Sequence, residues 1–243
     1  TLLNRIVGTK VSIVSAKVQT TRTRVLGIAL DGAAQLIFID TPGIFLPKRR
    51  LDRAMVAAAW GGAGDADRIL LLIDSKRGLD PDTQLIIDKL LKQGGRSVDL
   101  VLNKIDLVDK QKLLGLTETL NNYGIFDKIY MVSAEKGDGV GDLVSYLKSK
   151  MPFSPWLFPE DQISDMPMRL LAAEITREQL FIKLHQELPY AATVETETWQ
   201  EKDDGSIRIE QTIYVERGSQ RSIILGKNGK MIKSIGAESR REL

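Results

Sequence analysis

Three short segments of this 243-residue chain, 40–43, 103–106 and 133–137, each place a carboxylate, an amide or small residues just after a strand-like run. In Asp40-Thr41-Pro42-Gly43 the aspartate closes a β-rich stretch, where its carboxylate can hold a magnesium ion, usually through a water, because magnesium dehydrates reluctantly. Gly43 lets a backbone N–H approach a terminal phosphate with no side chain in the way. Alone, this tetrapeptide is explained equally well as a Pro-Gly turn after an edge strand. Asn103-Lys104-Ile105-Asp106 follows residues 98–102, a run apolar except for Asp99. The Asp106 carboxylate can accept two N–H bonds from guanine, at N1 and the 2-amino group. Adenine has no such donor pair on that edge, so binding it leaves the charge unpaired. The alkyl stem of Lys104 can lie along base and ribose, and Asn103 can tie the loop to its neighbours. In Ser133-Ala134-Glu135-Lys136-Gly137 the Ala134 N–H can meet the 6-oxo group of guanine, an acceptor where adenine carries an amine. Each signal is weak or moderate by itself; their order, and their place at strand ends where open α/β sheets bind ligands, make them reinforce one another.

The elements that must position these residues alternate. Residues 24–30 and 35–40 are β-rich, with Asp31-Gly32 as a hairpin turn signal. Residues 51–60 read as a helix ended by Gly61-Gly62. Residues 69–74 form a nearly continuous apolar run, the mark of a strand buried on both faces. Helices are predicted over 82–92, 110–122 and 140–150, with strands over 100–103 and 128–133 between them. That succession implies an α/β domain over residues 1–150, a mostly parallel sheet with helices on both faces.

The pattern then changes. Residues 151–169 carry four prolines, which suit neither a regular helix nor a central strand and read as a connection. Residues 170–243 read as a smaller α+β domain, with a helix over 177–187 and strands over 191–201 and 207–216 joined at Asp203-Asp204-Gly205. Gly226-Lys227-Asn228-Gly229 then opens another helix. Two glycines around two polar residues at a helix start let the backbone pack against a nucleic-acid strand, and the helix N-terminus favours phosphate. Lys227 and Lys230 add cationic contacts. A glycine-rich turn without a ligand explains the same four residues about equally well on local grounds.

Composition sets outer limits. A net charge of +2 with a pI near 8.7 does not by itself demand a nucleic-acid partner. The chain has no cysteine, which excludes disulfides and thiolate metal sites and suits a reducing cytosol. His185, the one histidine, argues against a histidine-based metal site and reads as a helix residue. No run approaches the roughly 20 apolar residues of a membrane-spanning helix. The three tryptophans, Trp60, Trp156 and Trp199, are far apart and read as packing residues.

With these segments together, the chain resembles the Era family of P-loop GTPases. Residues 40–43, 103–106 and 133–134 look like that family's G3, G4 and G5 motifs, and 226–229 looks like the GxxG loop of a KH domain of the prokaryotic, type II kind. Thr1-Leu2-Leu3-Asn4-Arg5 looks like the helix after the phosphate loop, with Thr1 just past that loop's serine. The loop and the strand before it would then lie upstream, in about 20 or more further residues by the length of a strand plus loop. The resemblance implies GTP or GDP with magnesium at Thr1, Asp40, Thr41, Pro42, Gly43, Ile44, Asn103, Lys104, Ile105, Asp106, Ser133 and Ala134. It gives Thr21, in a switch-like Gln19-Thr20-Thr21-Arg22, and Asp40 the magnesium ion, and it gives Thr21, Asp40 and Gly43 the catalytic duties. Ile44 stands where signalling GTPases carry a catalytic glutamine, so a potassium ion or a partner is expected to complete the site. Lys48-Arg49-Arg50 falls in the expected second switch. The resemblance also implies GTP hydrolysis in 30S subunit assembly and RNA binding through Gly226, Lys227, Asn228, Gly229 and Lys230. The expected target is small-subunit (16S-type) ribosomal RNA near its 3′ end, not DNA. A monomer in the cytoplasm, with peripheral contact to the inner membrane, completes the expectation. Two rival readings are an assembly GTPase with another appended domain and an RNA-binding adaptor with a vestigial nucleotide site.

Overall fold

In the computed structural model, residues 1–243 are described apart from 16, 18, 19, 23, 46–49, 95, 96 and 185–187, together with the side chains of 50, 51 and 62–65. The expectations placed on Gln19, Lys48, Arg49, the Arg50 side chain and His185 lie outside the described residues. Compactness divides the chain into two units: Thr1–Lys10 with Thr21–Ser164, and Val11–Thr20 with Asp165–Leu243.

The first unit begins with α1 (Leu2–Val7), stopped by Gly8 in the left-handed conformation. Strands β1 (Val25–Asp31) and β2 (Ala34–Asp40) form the expected hairpin, antiparallel with Asp31 opposite Ala34. Helix α2 (Arg50–Asp65) runs on through Gly61 and Gly62 instead of ending there. Glycine costs a helix only about 1 kcal/mol, which neighbouring alanines and tertiary packing override. Then come β3 (Ile69–Asp74), α3 (Pro81–Gln93), β4 (Val98–Asn103), α4 (Lys110–Asn121), β5 (Phe126–Val132) and α5 (Val140–Lys150). Local chemistry starts α3: Pro81 fits the first turn, and the Asp80 carboxylate accepts the Thr83 N–H at 2.8 Å.

Strands β3, β4 and β5 form a parallel sheet with β4 in the centre, and β1–β2 is a separate two-stranded sheet. Leu100, Val101 and Leu102 of β4 are fully buried, as a strand covered on both faces must be. Leu100 and Leu102 join Ile87 and Leu90 of α3 and Leu113 and Leu120 of α4. Val101 turns the other way, into a core with Leu2 of α1, Leu36 of β2, and Val140, Leu143 and Leu147 of α5. Burying each such side chain contributes about 2 kcal/mol. Helices thus cover both faces, as the alternation implies. Asp99, a buried charge on β4, is answered in full: Arg68 donates to it from Nε at 2.7 Å and Nη2 at 3.0 Å, and the Tyr146 hydroxyl donates at 3.0 Å.

The proline-rich stretch follows the hairpin. Gln35 braces it three ways, accepting the Leu157 and Phe158 N–H groups and donating to the Phe158 carbonyl. Ile28 N–H donates to Ile163, and Gly27 bridges Ser164 along the outer edge of β1.

In the second unit, α6 (Met168–Lys183) starts well before residue 177, directly after Pro167. Strands β6 (Ala192–Glu201) and β7 (Ile207–Val215) pair antiparallel. Between them and the glycine loop lies α7 (Gly218–Leu225), which sequence reading did not anticipate, and α8 (Lys230–Glu242) follows the loop. The core joins Ala173 and Leu180 of α6, Ala192 and Val194 of β6, Ile224 of α7 and Ile235 of α8. Residues 11–20 belong here: Val14 N–H donates to the Glu178 carboxylate at 2.6 Å, and Arg177 donates to the Thr20 carbonyl at 2.7 Å. Among the described residues no helix is long and apolar enough to cross a membrane.

Candidate functional site

Parallel register sets the geometry of the first site. Asp74 lies opposite Asn103, and Asn103 opposite Val132, so three strand ends meet at one rim. Asn103 is the brace. Its Oδ1 accepts the N–H of Lys104 at 2.8 Å and the N–H of Ala134 at 3.0 Å, which fastens the loop after β4 to the loop after β5. The Ala134 N–H expected to meet a base oxygen is therefore already engaged, and a ligand oxygen has to share or displace Asn103. Lys104 sits at φ +62°, and its Nζ reaches Asp74 Oδ2 at 2.7 Å. Ile105 begins a single 3-10 turn over Ile105–Leu107 and packs against the core beneath. The Asp106 side chain is only 8% exposed and faces Lys136 of the opposite loop at 3.8 Å, too long for a tight pair. Asp106 thus faces the loop that carries Ala134.

The Ser133–Gly137 loop closes on itself. Ser133 is fully buried; its Oγ accepts the Lys136 N–H, and its carbonyl accepts the Gly137 N–H. Arg5 of α1 holds the loop from the side, donating to the carbonyls of Ala134, at 3.1 Å, and Glu135. Neither Arg5 nor Asp74 was singled out from the sequence. Asp74 offered a signal, an acidic residue ending an apolar strand as Asp40 does. Arg5 offered none.

The other expected nucleotide residues are placed as follows. Thr1 precedes α1 and is exposed; its carbonyl accepts the Arg5 N–H at 3.0 Å. Thr21 lies half-buried before β1. Asp40 ends β2, with Thr41 half-buried, Pro42 buried, Gly43 exposed and Ile44 half-buried after it. These residues leave a different sheet from the two loops joined by Asn103. Thr21 and Asp40 supply a hydroxyl and a carboxylate, hard oxygen donors of the kind magnesium takes. Among the described residues no group of three or more His, Cys, Asp or Glu could hold a metal ion.

In the second unit Gly226–Gly229 joins two helices. Gly226, at φ +69° and ψ 174°, occupies a region essentially reserved for glycine, and a Cβ there would stand 2.7 Å from Met231 Cβ. Asn228 is at φ +54° and Gly229 at +71°. Lys227, Asn228 and Lys230 are exposed. A helix, two paired strands and a glycine loop that opens a helix are the elements expected for a type II KH domain; α7, between β7 and the loop, adds to that expectation.

Comparison with known proteins agrees with both units. A family described as 50S ribosome-binding GTPase matches residues 1–104, and the KH domain family matches 187–243. GTPase Era of Agrobacterium fabrum is 60% identical across 100% of this chain and 76% of its own length. GTPase Era of Rhizobium meliloti is 58% identical across 100% of this chain and 77% of its own. A solved Era in complex with MgGDPNP and nucleotides 1506–1542 of 16S ribosomal RNA superposes with a TM-score of 0.94 at 38% identity, covering 99% of this chain and 82% of that one. Aquifex aeolicus Era Y63A bound to GDP·AlF4− gives a TM-score of 0.93 at the same identity and coverage. A likeness that runs unbroken from the α1 helix through the glycine loop leaves one assignment: this chain belongs to the Era family of GTPases.

Proposed function

We propose that the chain binds GTP and GDP with magnesium, hydrolyses GTP, and couples the nucleotide state to RNA binding by its KH unit during 30S subunit assembly. The observation that carries the nucleotide half is the double acceptor at Asn103 Oδ1, which joins two loops into one rim beside Asp106. In this reading Asp106 takes guanine N1–H and the 2-amino group, Ala134 N–H meets the 6-oxo group, and Ile105 and Ser133 support them. Asp40, through a water, and Thr21 hold magnesium. Gly43 N–H reaches the terminal phosphate, flanked by Thr1, Thr41, Pro42 and Ile44. Ile44 has no group to orient an attacking water, so turnover is slow until a potassium ion or a partner completes the site.

The RNA half rests on Gly226, Lys227, Asn228, Gly229 and Lys230, and on the superposable Era that holds a 16S segment. The proposed target is single-stranded RNA near the 3′ end of the small-subunit ribosomal RNA, about four nucleotides of which such a loop clamps. Residues 1–150 are then the GTPase domain, 151–169 the connection and 170–243 the KH domain. A monomer in the cytoplasm, touching the inner membrane peripherally, belongs to the same reading; the cysteine-free composition supports the reducing compartment.

The test is Asp106→Asn in the full-length protein. An amide can donate to the 2-oxo group of xanthine, so binding is expected to shift from GDP towards xanthosine diphosphate by at least about 100-fold in the ratio of affinities. Unaltered guanine preference in a titration of both nucleotides would remove the base-site assignment.

A further inference from the structure

Asp74 belongs to none of the three nucleotide motifs, yet it is the group that the Lys104 ammonium meets. Strands β3 and β4 end side by side, and the Ser75 N–H donates to the Asn103 carbonyl at 2.9 Å, so the carboxylate and the lysine are neighbours by register. Lys104 is pinned at both ends. Its N–H is held by Asn103 at 2.8 Å, which supports a positive φ that a side-chain-bearing residue adopts only under constraint, and its Nζ is held by Asp74 at 2.7 Å. Asp74 is itself fixed, since its Oδ1 accepts the Lys76 N–H at 2.9 Å. The carboxylate is the sheltered partner, 24% exposed against 53% for the lysine. Burial alone pushes the Asp74 carboxyl up, but the Lys104 ammonium and the Lys76 N–H outweigh it and hold the group below the usual carboxylate range.

We propose that Asp74 is a positioning residue for the nucleotide base: it draws the Lys104 ammonium aside, so that the lysine stem presents a flat apolar wall to the purine ring. The proposal rests on the assignment of residues 103–106 to base recognition and extends it. The two aspartates divide the task. Asp106 reads the edge of the base and sets which base is held. Asp74 acts through Lys104 on the face of the ring, so it raises affinity for a purine nucleotide without altering the choice among them.

A double-mutant cycle on the full-length protein tests this, read as the dissociation rate of a fluorescent GDP analogue. Asp74→Asn keeps an oxygen for the Lys76 N–H and removes only the charge; Lys104→Met keeps the stem and removes the ammonium. Each is expected to speed dissociation about tenfold, the worth of one partly exposed charge-assisted hydrogen bond. The double variant is expected to be no faster than either single one, because both break the same contact. The preference for GDP over xanthosine diphosphate stays that of wild type in Asp74→Asn. Wild-type dissociation in either single variant, or effects that multiply in the double, overturns the proposal; so does a changed base preference in Asp74→Asn. A role confined to holding the fold would lower the melting temperature of the nucleotide-free protein and act equally in both backgrounds. Should Asp74→Asn not fold, Lys104→Met decides alone, since the wild-type rate there leaves the ion pair without a role. If Asp106→Asn fails to shift the base preference, the base site itself has been misassigned, and the Asp74 role falls with it; a shifted preference together with multiplying effects sinks only the Asp74 role.

Discussion

Two loops, at 103–106 and at 226–229, each hold a residue other than glycine at positive φ: Lys104 at +62° and Asn228 at +54°. Such conformations persist only where the surroundings over-determine them, and they concentrate where ligands bind. The two loops are held by opposite means. Lys104 is fixed by side chains, the Asn103 amide at one end and the Asp74 carboxylate at the other. Asn228 is fixed by backbone, between Gly226 and Gly229, both at positive φ, and by the tolerance of asparagine for this region. A site that reads one small rigid base needs its donors and acceptors placed by cross-braces. A cradle for a flexible polymer backbone needs a surface without Cβ atoms and charges free to follow the phosphates.

The contrast breaks most visibly at Asn103. Asn103→Ala removes the hydrogen bond that joins the 103–106 loop to the 133–137 loop and the one that holds Lys104 in its strained conformation. Two lost hydrogen bonds plus the relaxation are worth roughly 3 kcal/mol, so GDP affinity is expected to fall about 100-fold in a calorimetric titration. Because the same bonds are made without nucleotide, the melting temperature of the nucleotide-free protein is expected to fall as well, by several degrees. A loss smaller than about tenfold would mean that the loop holds its shape without the amide.

Gly226 is the corresponding weak point of the second loop. Gly226→Ala meets two penalties at once, a backbone region closed to Cβ-bearing residues and a contact 2.7 Å from Met231 Cβ. We expect a loss of about 2–3 kcal/mol of stability in urea unfolding, confined to the KH unit, with RNA binding weakened alongside. Asn228→Gly is the control: glycine takes a positive φ freely, so stability should stay within about 0.5 kcal/mol of wild type. An equal cost at both positions would mean that the side chain of Asn228, and not the backbone around it, holds the loop.

Much of this was legible beforehand, for reasons that also explain the gaps. β3 and β4 announce themselves by their apolar runs, and the motif residues at their ends are read by adjacency; the burial differs from the expectation, since only β4 is buried on both faces, with Asp99 paired inside it, while Leu72 of β3 is 46% exposed. Helix α7 was missed because Gly218-Ser219-Gln220 resembles a turn and Ile223–Leu225 a strand; the Gln220 side chain, accepting the Arg217 N–H at 2.9 Å, tips that segment into a helix. The start of α6 hid behind Pro167, a residue more often read as a break. The contacts that complete the rim formed by residues 103–106 and 133–137 join residues far apart in sequence. Lys104 is 30 residues from Asp74, and Arg5 is 129 from Ala134. No local pattern reveals which strand ends a fold will set side by side.

The smallest predicted effect isolates charge from shape in the glycine loop. Lys227→Asp with Asn228→Asp replaces two exposed side chains without changing a glycine, and aspartate shares asparagine's tolerance of positive φ. Stability and GTP hydrolysis are therefore expected to match wild type. Affinity for a single-stranded RNA should fall at least about tenfold, and the slope of log affinity against log salt should shrink by at least about one, because one phosphate contact is lost and two negative charges are added. If RNA affinity fell with an unchanged salt slope, the loop would be reading bases and not following the backbone. If affinity did not fall at all, the RNA would lie elsewhere on the unit, and the distinction drawn between the two loops would hold for conformation but not for function.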